Sequence, residues 1–317
     1  MTRVSIIVVT YNAKWEKLKL TINSILLQSG IDYEIIFADD GSAYKLNEKI
    51  QEYIQNNCIY RFADSAKNVG TVMNILNGVE KAEGEYIKVI SPGDCFYDQQ
   101  SLKEWVAHIE KNKVDLSFCD AIYYRNIKNT TEIVKTKASP KNVYLYYKDN
   151  YHKLFIDYLL ANDSILGASV LIKKSVILQY LQEMAGKVIY AEDYMIRIMI
   201  YDNKLINHFN KTCLWYEYGD GISTSNDNKW AELLHKDFEE TNKIIKKRNL
   251  TTDKIHKKYK RLVIDKEKRS PIYKIKKALF FPTVIWYRLR MKWFYCVSPS
   301  GNIDKLSVIS EFKPRCK

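Results

Sequence analysis

The chain has 317 residues and a mass of 37.3 kDa, enough to bury a full core, and its 46% apolar content is that of a globular protein. No run of about 18 uncharged apolar residues occurs, so no membrane-spanning helix is expected. The net charge of +13 is uneven: residues 243–293 carry 18 Lys and Arg against 3 Asp and Glu, leaving 32 against 34 elsewhere, so the excess lies in one C-terminal block.

The opening MTRVSIIVV turns polar at Thr10-Tyr11-Asn12, too early for the apolar stretch of a signal peptide. Its apolar part, Val4–Val9, reads as a buried parallel strand. Lys14–Gln28 places Trp15, Leu18, Ile22 and Ile25 at helical steps. Glu34–Ala38 is a second strand, released into Asp39-Asp40-Gly41-Ser42, and Leu46–Ile54 a helix. Cys58–Phe62 is a short strand, Val72 to Val79 a helical stripe, and Tyr86–Ile90 a strand broken by Ser91-Pro92-Gly93 before Asp94. A helix through Leu102, Trp105 and Ile109 and a strand Leu116–Tyr124 follow. Arg125–Asn150 reads as a loop or hairpin, Ser164–Ile172 as a strand and Lys173–Met184 as a helix. Ala191-Glu192-Asp193 opens another helix, and Tyr216–Ser223 is a glycine-punctuated loop. Such alternation predicts an α/β fold, a mostly parallel Rossmann-like sheet with helices on both faces. We expect this domain over residues 1–240 and a basic amphipathic helical extension over 241–317.

Two strands that each release acid at one end suggest a metal and a phosphorylated ligand, since open α/β sheets bind ligands beyond their strand ends. Acids and glycines also follow strands because turns need them. The cysteines Cys58, Cys95, Cys119, Cys213, Cys296 and Cys316 form no CxxC pair and have no His at zinc spacing. They read as reduced thiols of a cytoplasmic protein.

Six segments, in order, resemble the inverting glycosyltransferases of family 2, which have the GT-A fold. They are SIIVVTYN, FADDGS, NVGTVMNILNGVEKAEGEYI, ISPGD, Ala191-Glu192-Asp193 and YEYGDGIS, together spanning roughly residues 1–225. The resemblance implies transfer of a sugar from a nucleotide-sugar, a UDP-sugar first, to a glycan or lipid-linked acceptor in surface polysaccharide synthesis. It implies that Tyr11 and Asp40 meet the nucleotide base and that Asn68 and Gly70 line the nucleotide. Asp94 would hold Mn²⁺ or Mg²⁺, although the family's preceding Asp is missing here. A hard cation bound with diphosphate needs few protein carboxylates. Asp193 is the expected general base, with Glu192 as competitor; the alternative for both is capping of a helix N-terminus. Gly167 would let donor or acceptor approach the backbone, or simply make a turn.

Residues 271–295 set Ile272, Ile275, Leu279, Ile285, Leu289 and Trp293 at helical steps on either side of Pro282, among Lys, Arg and aromatic residues. Such helices lie flat on anionic membranes, here the inner face of the plasma membrane; the alternative is a lid packed on the catalytic domain. No nucleic-acid module accompanies the charge, so no nucleic-acid partner is expected. Two rival functions remain open: a nucleotidyltransferase, and a non-catalytic sugar-nucleotide or membrane adaptor.

Overall fold

The computed structural model describes residues 3–127, 130–147, 150–219, 228–248, 253–263 and 271–314. Its first half alternates as the apolar pattern requires: β1 (Val4–Thr10), α1 (Trp15–Leu26), β2 (Tyr33–Asp39), α2 (Asn47–Ile54), β3 (Ile59–Phe62), α3 (Thr71–Lys81) and β4 (Tyr86–Ile90). Then come β5 (Cys95–Phe96), α4 (Ser101–Asn112), β6 (Leu116–Ile127), β7 (Thr130–Ile133) and α5 (Tyr151–Phe155), which runs on as a wider helical turn to Ala161. After them lie β8 (Val170–Lys173), α6 (Lys174–Met184), α7 (Met195–Tyr201) and β9 (Ile206–Glu217). The C-terminal helices are α8 (Asn228–Lys246), α9 (Lys254–Val263), α10 (Pro271–Phe280), α11 (Thr283–Trp293) and α12 (Ile303–Glu311).

One sheet runs in the order β3-β2-β1-β4-β8-β6-β9-β5, with β7 paired to β6. Alternate residues serve opposite faces of its parallel strands. Ile7, Ile36 and Ile87 bury against α3 and α6, whereas Ile6, Val8, Ile35 and Phe37 bury against α1, α2 and α4. That two-sided burial is why these strands read as continuous apolar runs.

Topology then decides where function can sit. β2, β1 and β4 are mutually parallel neighbours and end at one edge. β8 is antiparallel to both β4 and β6, so it begins at that edge. β6 therefore runs with β4, and β9, parallel to β6, ends there too.

Two local differences from the sequence reading have physical causes. The strand expected over Ser164–Ile172 is confined to Val170–Lys173, because residues 164–169 are held by a side chain and a local backbone turn instead of the sheet. The Ser164 N–H donates to Asp163 Oδ1 (3.0 Å), the Ser169 N–H to the Leu166 carbonyl (2.9 Å). The Arg125–Asn150 excursion, read as a loop or hairpin, does begin as the β6–β7 hairpin. The twelve-residue β9 was not foreseen; its irregular register against β6, between Cys119 and Ala121, breaks any simple alternation.

The C-terminal helices share the main core. Ile244, Ile245, Ile255, Tyr259, Leu262, Phe281, Val284 and Tyr287 are buried with α3, α6 and α7 residues. Leu306 and Ile309 of α12 pack on Cys95, Ile122 and Trp215. No helix among the described residues is long and apolar enough to cross a membrane.

Candidate active site

Tyr11 follows β1 and is more than half exposed at the functional edge. Beneath it, Asp39 ties two strand ends together: its Oδ2 accepts from the Thr10 hydroxyl (2.9 Å) and the Ser42 hydroxyl (2.6 Å), its Oδ1 from the Ser42 N–H (2.8 Å). Asp40 points the other way. Its oxygens accept the N–H groups of Val69 (2.6 Å) and Gly70 (3.1 Å), leaving each oxygen further lone-pair capacity. Burial raises the Asp40 carboxyl above its ordinary pKa, and those two N–H groups oppose the rise. Asn68 is exposed on the same loop. Gly70 has φ +89°, and a Cβ there would stand 2.5 Å from the Ile189 side chain, so this loop needs glycine.

Asp94 is buried in the turn after β4, and its Oδ1 accepts the Glu217 N–H (3.0 Å). Thr21 of α1 braces that turn, accepting from the Gly93 N–H (2.9 Å) and donating to the Asp94 carbonyl (2.8 Å). Glu217, at the end of β9, brings a second carboxylate beside Asp94 and pairs through Oε2 with Lys17 Nζ at 2.6 Å. Burial pushes Asp94 up to about 7; the Glu217 N–H and the Lys88 ammonium pull the other way. Lys88 is wholly buried, donates to the Val89 carbonyl (2.7 Å) and to the Ala168 carbonyl, and is lowered to about 8 by that burial.

The donor set bears on a metal. Among the described residues no group of three or more His, Cys, Asp or Glu is gathered at one point. Asp94 and Glu217 are the carboxylates that could meet a hard cation at this edge, which would have to complete its shell with diphosphate oxygens and water, not with a closed protein cage.

Lys88 also links Asp94 to the acid pair, because the Ala168 carbonyl it holds belongs to the turn Gly167–Ser169. A Cβ on Gly167 would lie 3.2 Å from Asp193 Cβ and 3.3 Å from Glu192 Oε1, so Gly167 is packed directly on the pair. Glu192 and Asp193 begin a tight 3-10 turn (Glu192–Tyr194) that leads into α7. Behind them lies an apolar cavity lined by Ile75, Val89, Val170, Leu181 and Ile196. Loss of water raises both carboxyls, Glu192 to about 8 and Asp193 to about 6. The Asp193 charge adds to the rise at Glu192, whereas the Asp193 backbone N–H and Arg197 hold Asp193 lower. Arg197 is itself buried and donates to the carbonyls of Tyr158 (3.2 Å) and Leu159 (3.4 Å).

Tyr11, Asp40, Asn68, Gly70, Asp94, Gly167, Glu192 and Asp193 thus all lie at the edge where β1, β2 and β4 end and β8 begins. The remainder of the expected glycine loop, residues 220–223, lies outside the described residues. Sequence reasoning did not single out Glu217, Lys88 or Arg197, although Glu217 lies within the YEYGDGIS segment. Lys88 also carried a signal, as the one charge inside Tyr86–Ile90.

Residues 5–176 match the sequence profile of Glycosyl transferase family 2, more than half of the chain, and the chain belongs to that family. Its particular relatives are distant. An uncharacterized glycosyltransferase of Mycoplasma genitalium is 29% identical over 128 residues, covering 39% of this chain and 42% of that protein. The Escherichia coli enzyme WfgD, a UDP-Glc:alpha-D-GlcNAc-diphosphoundecaprenol beta-1,3-glucosyltransferase, is 24% identical over 230 residues, covering 73% of this chain and 82% of that protein. The crystal structure of S. aureus TarS in complex with UDP superposes with a TM-score of 0.54 at 14% identity, covering 98% of this chain and 90% of that one. The last likeness concerns the fold.

Proposed function

We propose that this protein transfers a sugar from a nucleotide-sugar, a UDP-sugar first, to a hydroxyl of a glycan or lipid-linked acceptor, with inversion at the anomeric carbon. The observation that carries the reading is the gathering of Asp40, Asp94 and Asp193 at one sheet edge. The order of their pKa values supports the division of labour. With Asp193 at about 6 and Glu192 at about 8, Asp193 is the carboxylate ionised at neutral pH. In the reaction the acceptor oxygen forms a bond to the anomeric carbon as the bond to the diphosphate oxygen breaks. Asp193 takes the acceptor proton, and the leaving nucleoside diphosphate carries the electron pair away. A single displacement of this kind inverts the centre. Tyr11 offers a ring face to the base, Asp40 its remaining lone pairs to a base N–H, and Asn68 and Gly70 line the nucleotide. Gly167 leaves room for the sugar or acceptor beside Asp193. A Mn²⁺ or Mg²⁺ ion held by Asp94, with Glu217 beside it, would neutralise the charge growing on the leaving diphosphate.

The acceptor class follows from two supports. WfgD, by its name, acts on a diphosphoundecaprenol-linked sugar. On α10 the apolar stripe faces outward, with Ile272, Ile275 and Leu279 exposed at 64, 60 and 73%. Trp286 and Trp293, about two turns apart on α11, are exposed at 52 and 61%. A helix packed on a globular core normally buries such residues; here Lys274, Lys276, Arg288 and Lys292 flank them. Basic, aromatic amphipathic faces suit an anionic lipid surface, and we assign the segment 271–295 to the inner face of the plasma membrane.

A panel of UDP- and GDP-sugars with Mn²⁺, or with chelator, tests the reading through the product released. Nucleoside diphosphate is expected, and only with the metal. Pyrophosphate from a nucleoside triphosphate would point to a nucleotidyltransferase, and UDP binding without turnover on any acceptor to an adaptor.

A further inference from the structure

Asp237 lies on α8, beyond the family-matched residues 5–176, and is 2% exposed. Its carboxylate accepts three consecutive backbone N–H groups: Ile189 on Oδ1 (3.0 Å), and Tyr190 (2.7 Å) and Ala191 (3.0 Å) on Oδ2. These are the three residues immediately before Glu192. A buried carboxylate is tolerated only where such donors replace its water, and N–H bonds to an ionised acceptor are the stronger kind. The same short segment is gripped from the opposite side. The Val72 N–H donates to the Ile189 carbonyl (3.0 Å), and Ile189 packs on Gly70, whose N–H is held by Asp40. Aromatic contacts reinforce the support from α8. Trp230 meets Tyr190 edge-on at 5.1 Å, Phe238 meets Tyr194 at 5.8 Å, and the Arg197 guanidinium lies 4.5 Å from the Phe238 ring centroid.

We propose that Asp237 is a positioning residue for the acid pair: by binding the three N–H groups of Ile189–Ala191 it sets where Glu192 and Asp193 stand relative to the Gly167 turn and the nucleotide loop. The chain of contacts Asp237, Ile189, Gly70, Asp40 joins the two halves of the site through backbone groups. Asp237 touches neither donor nor acceptor. Its effect on turnover rests on the glycosyltransferase reading, but its effect on the segment does not.

The test uses the full chain and Asp237→Asn, whose amide offers one acceptor oxygen where two were used and turns an N–H donor toward the segment. Amide hydrogen exchange in the peptide spanning residues 187–194 is expected to accelerate at least about tenfold, with the strands β1 and β4 unchanged. UDP affinity, measured by calorimetry with Mn²⁺, is expected to stay within about twofold, while kcat falls at least about tenfold. Asp237→Glu keeps the charge but displaces the oxygens by one methylene. It should give intermediate exchange and intermediate kcat, and serves if the Asn variant does not fold. Unchanged exchange and unchanged kcat in either variant would overturn the assignment, as would a loss of UDP affinity that matches the loss of turnover. A wild-type chain inactive on every donor would instead sink the functional reading, and the exchange measurement would still decide whether Asp237 holds the segment.

Discussion

At neutral pH the neighbouring carboxyls Glu192 and Asp193 differ in proton content, and the cause is local. Both lose water to the apolar wall behind them, but only Asp193 has Arg197 to favour its charge. A base must be ionised to accept a proton, so kcat/KM is expected to rise with pH through about 6, where Asp193 titrates, before levelling. A pH–rate profile with no acidic limb above pH 5 would contradict that. A second buried acid acts on stability instead. Asp157 has no exposed surface, and burial, then the nearby charge of Asp163, raise its carboxyl to about 8. Its folded pKa lies above the unfolded value of 3.8, so between about pH 4 and pH 8 the folded chain binds the extra proton and stability falls as pH rises. Asp157→Asn keeps an oxygen to accept the Asn142 amide, as Asp157 Oδ1 does at 2.7 Å. It should match the wild-type melting temperature near pH 4 and exceed it at pH 8. Equal pH dependence in thermal melts would refute this.

At the scale of elements, the loops are as constrained as the strands. Gly70 combines φ +89° with a side-chain position already filled by Ile189. Gly70→Ala should therefore cost more than about 1 kcal/mol of stability in urea titration, and should loosen the contact between the Asn68–Gly70 loop and the segment before Glu192. Helices α10 and α11 predict the opposite pattern. Because Trp286 and Trp293 are exposed, replacing both by Ser should leave the melting temperature within a few degrees. It should, however, release the protein from vesicles containing anionic lipid in a sedimentation assay. Binding to duplex DNA in preference to vesicles, or vesicle binding unaffected by the double substitution, would count against the membrane assignment. The same comparison shows which elements were legible in the sequence. Val4–Val9 and Tyr86–Ile90 announced themselves because both faces of a parallel strand are buried. The Asp39–Ser42 and Ser91–Asp94 turns were visible through their glycines and acids. β9 was hidden by Asn207, His208, Asn210 and Lys211, which interrupt its pattern. Asp237 could not be singled out, since on a charged helix one acid looks like its neighbours Glu239 and Glu240 until its N–H partners are known. Lys88 was conspicuous, but its link between two carbonyls depends on a turn 80 residues away.

Over the whole molecule, the antiparallel insertion of β8 between β4 and β6 does what a continuous parallel sheet would not. It starts a strand at the edge where its neighbours end, and so brings Gly167 and the acid pair to face the loops after β1, β2 and β4. The C-terminal helices then back this edge through α8 and turn an apolar, basic surface outward through α10 and α11. On the proposed function, the edge would receive the donor and the outward surface of α10 and α11 would meet the lipid layer that holds the acceptor. The most direct test of the account is Asp193→Asn, assayed for UDP binding and for UDP release from a UDP-sugar in the presence of Mn²⁺. The account predicts UDP affinity close to that of the wild type and turnover lower by about 10² or more. Near-normal release of UDP by the folded variant would contradict it.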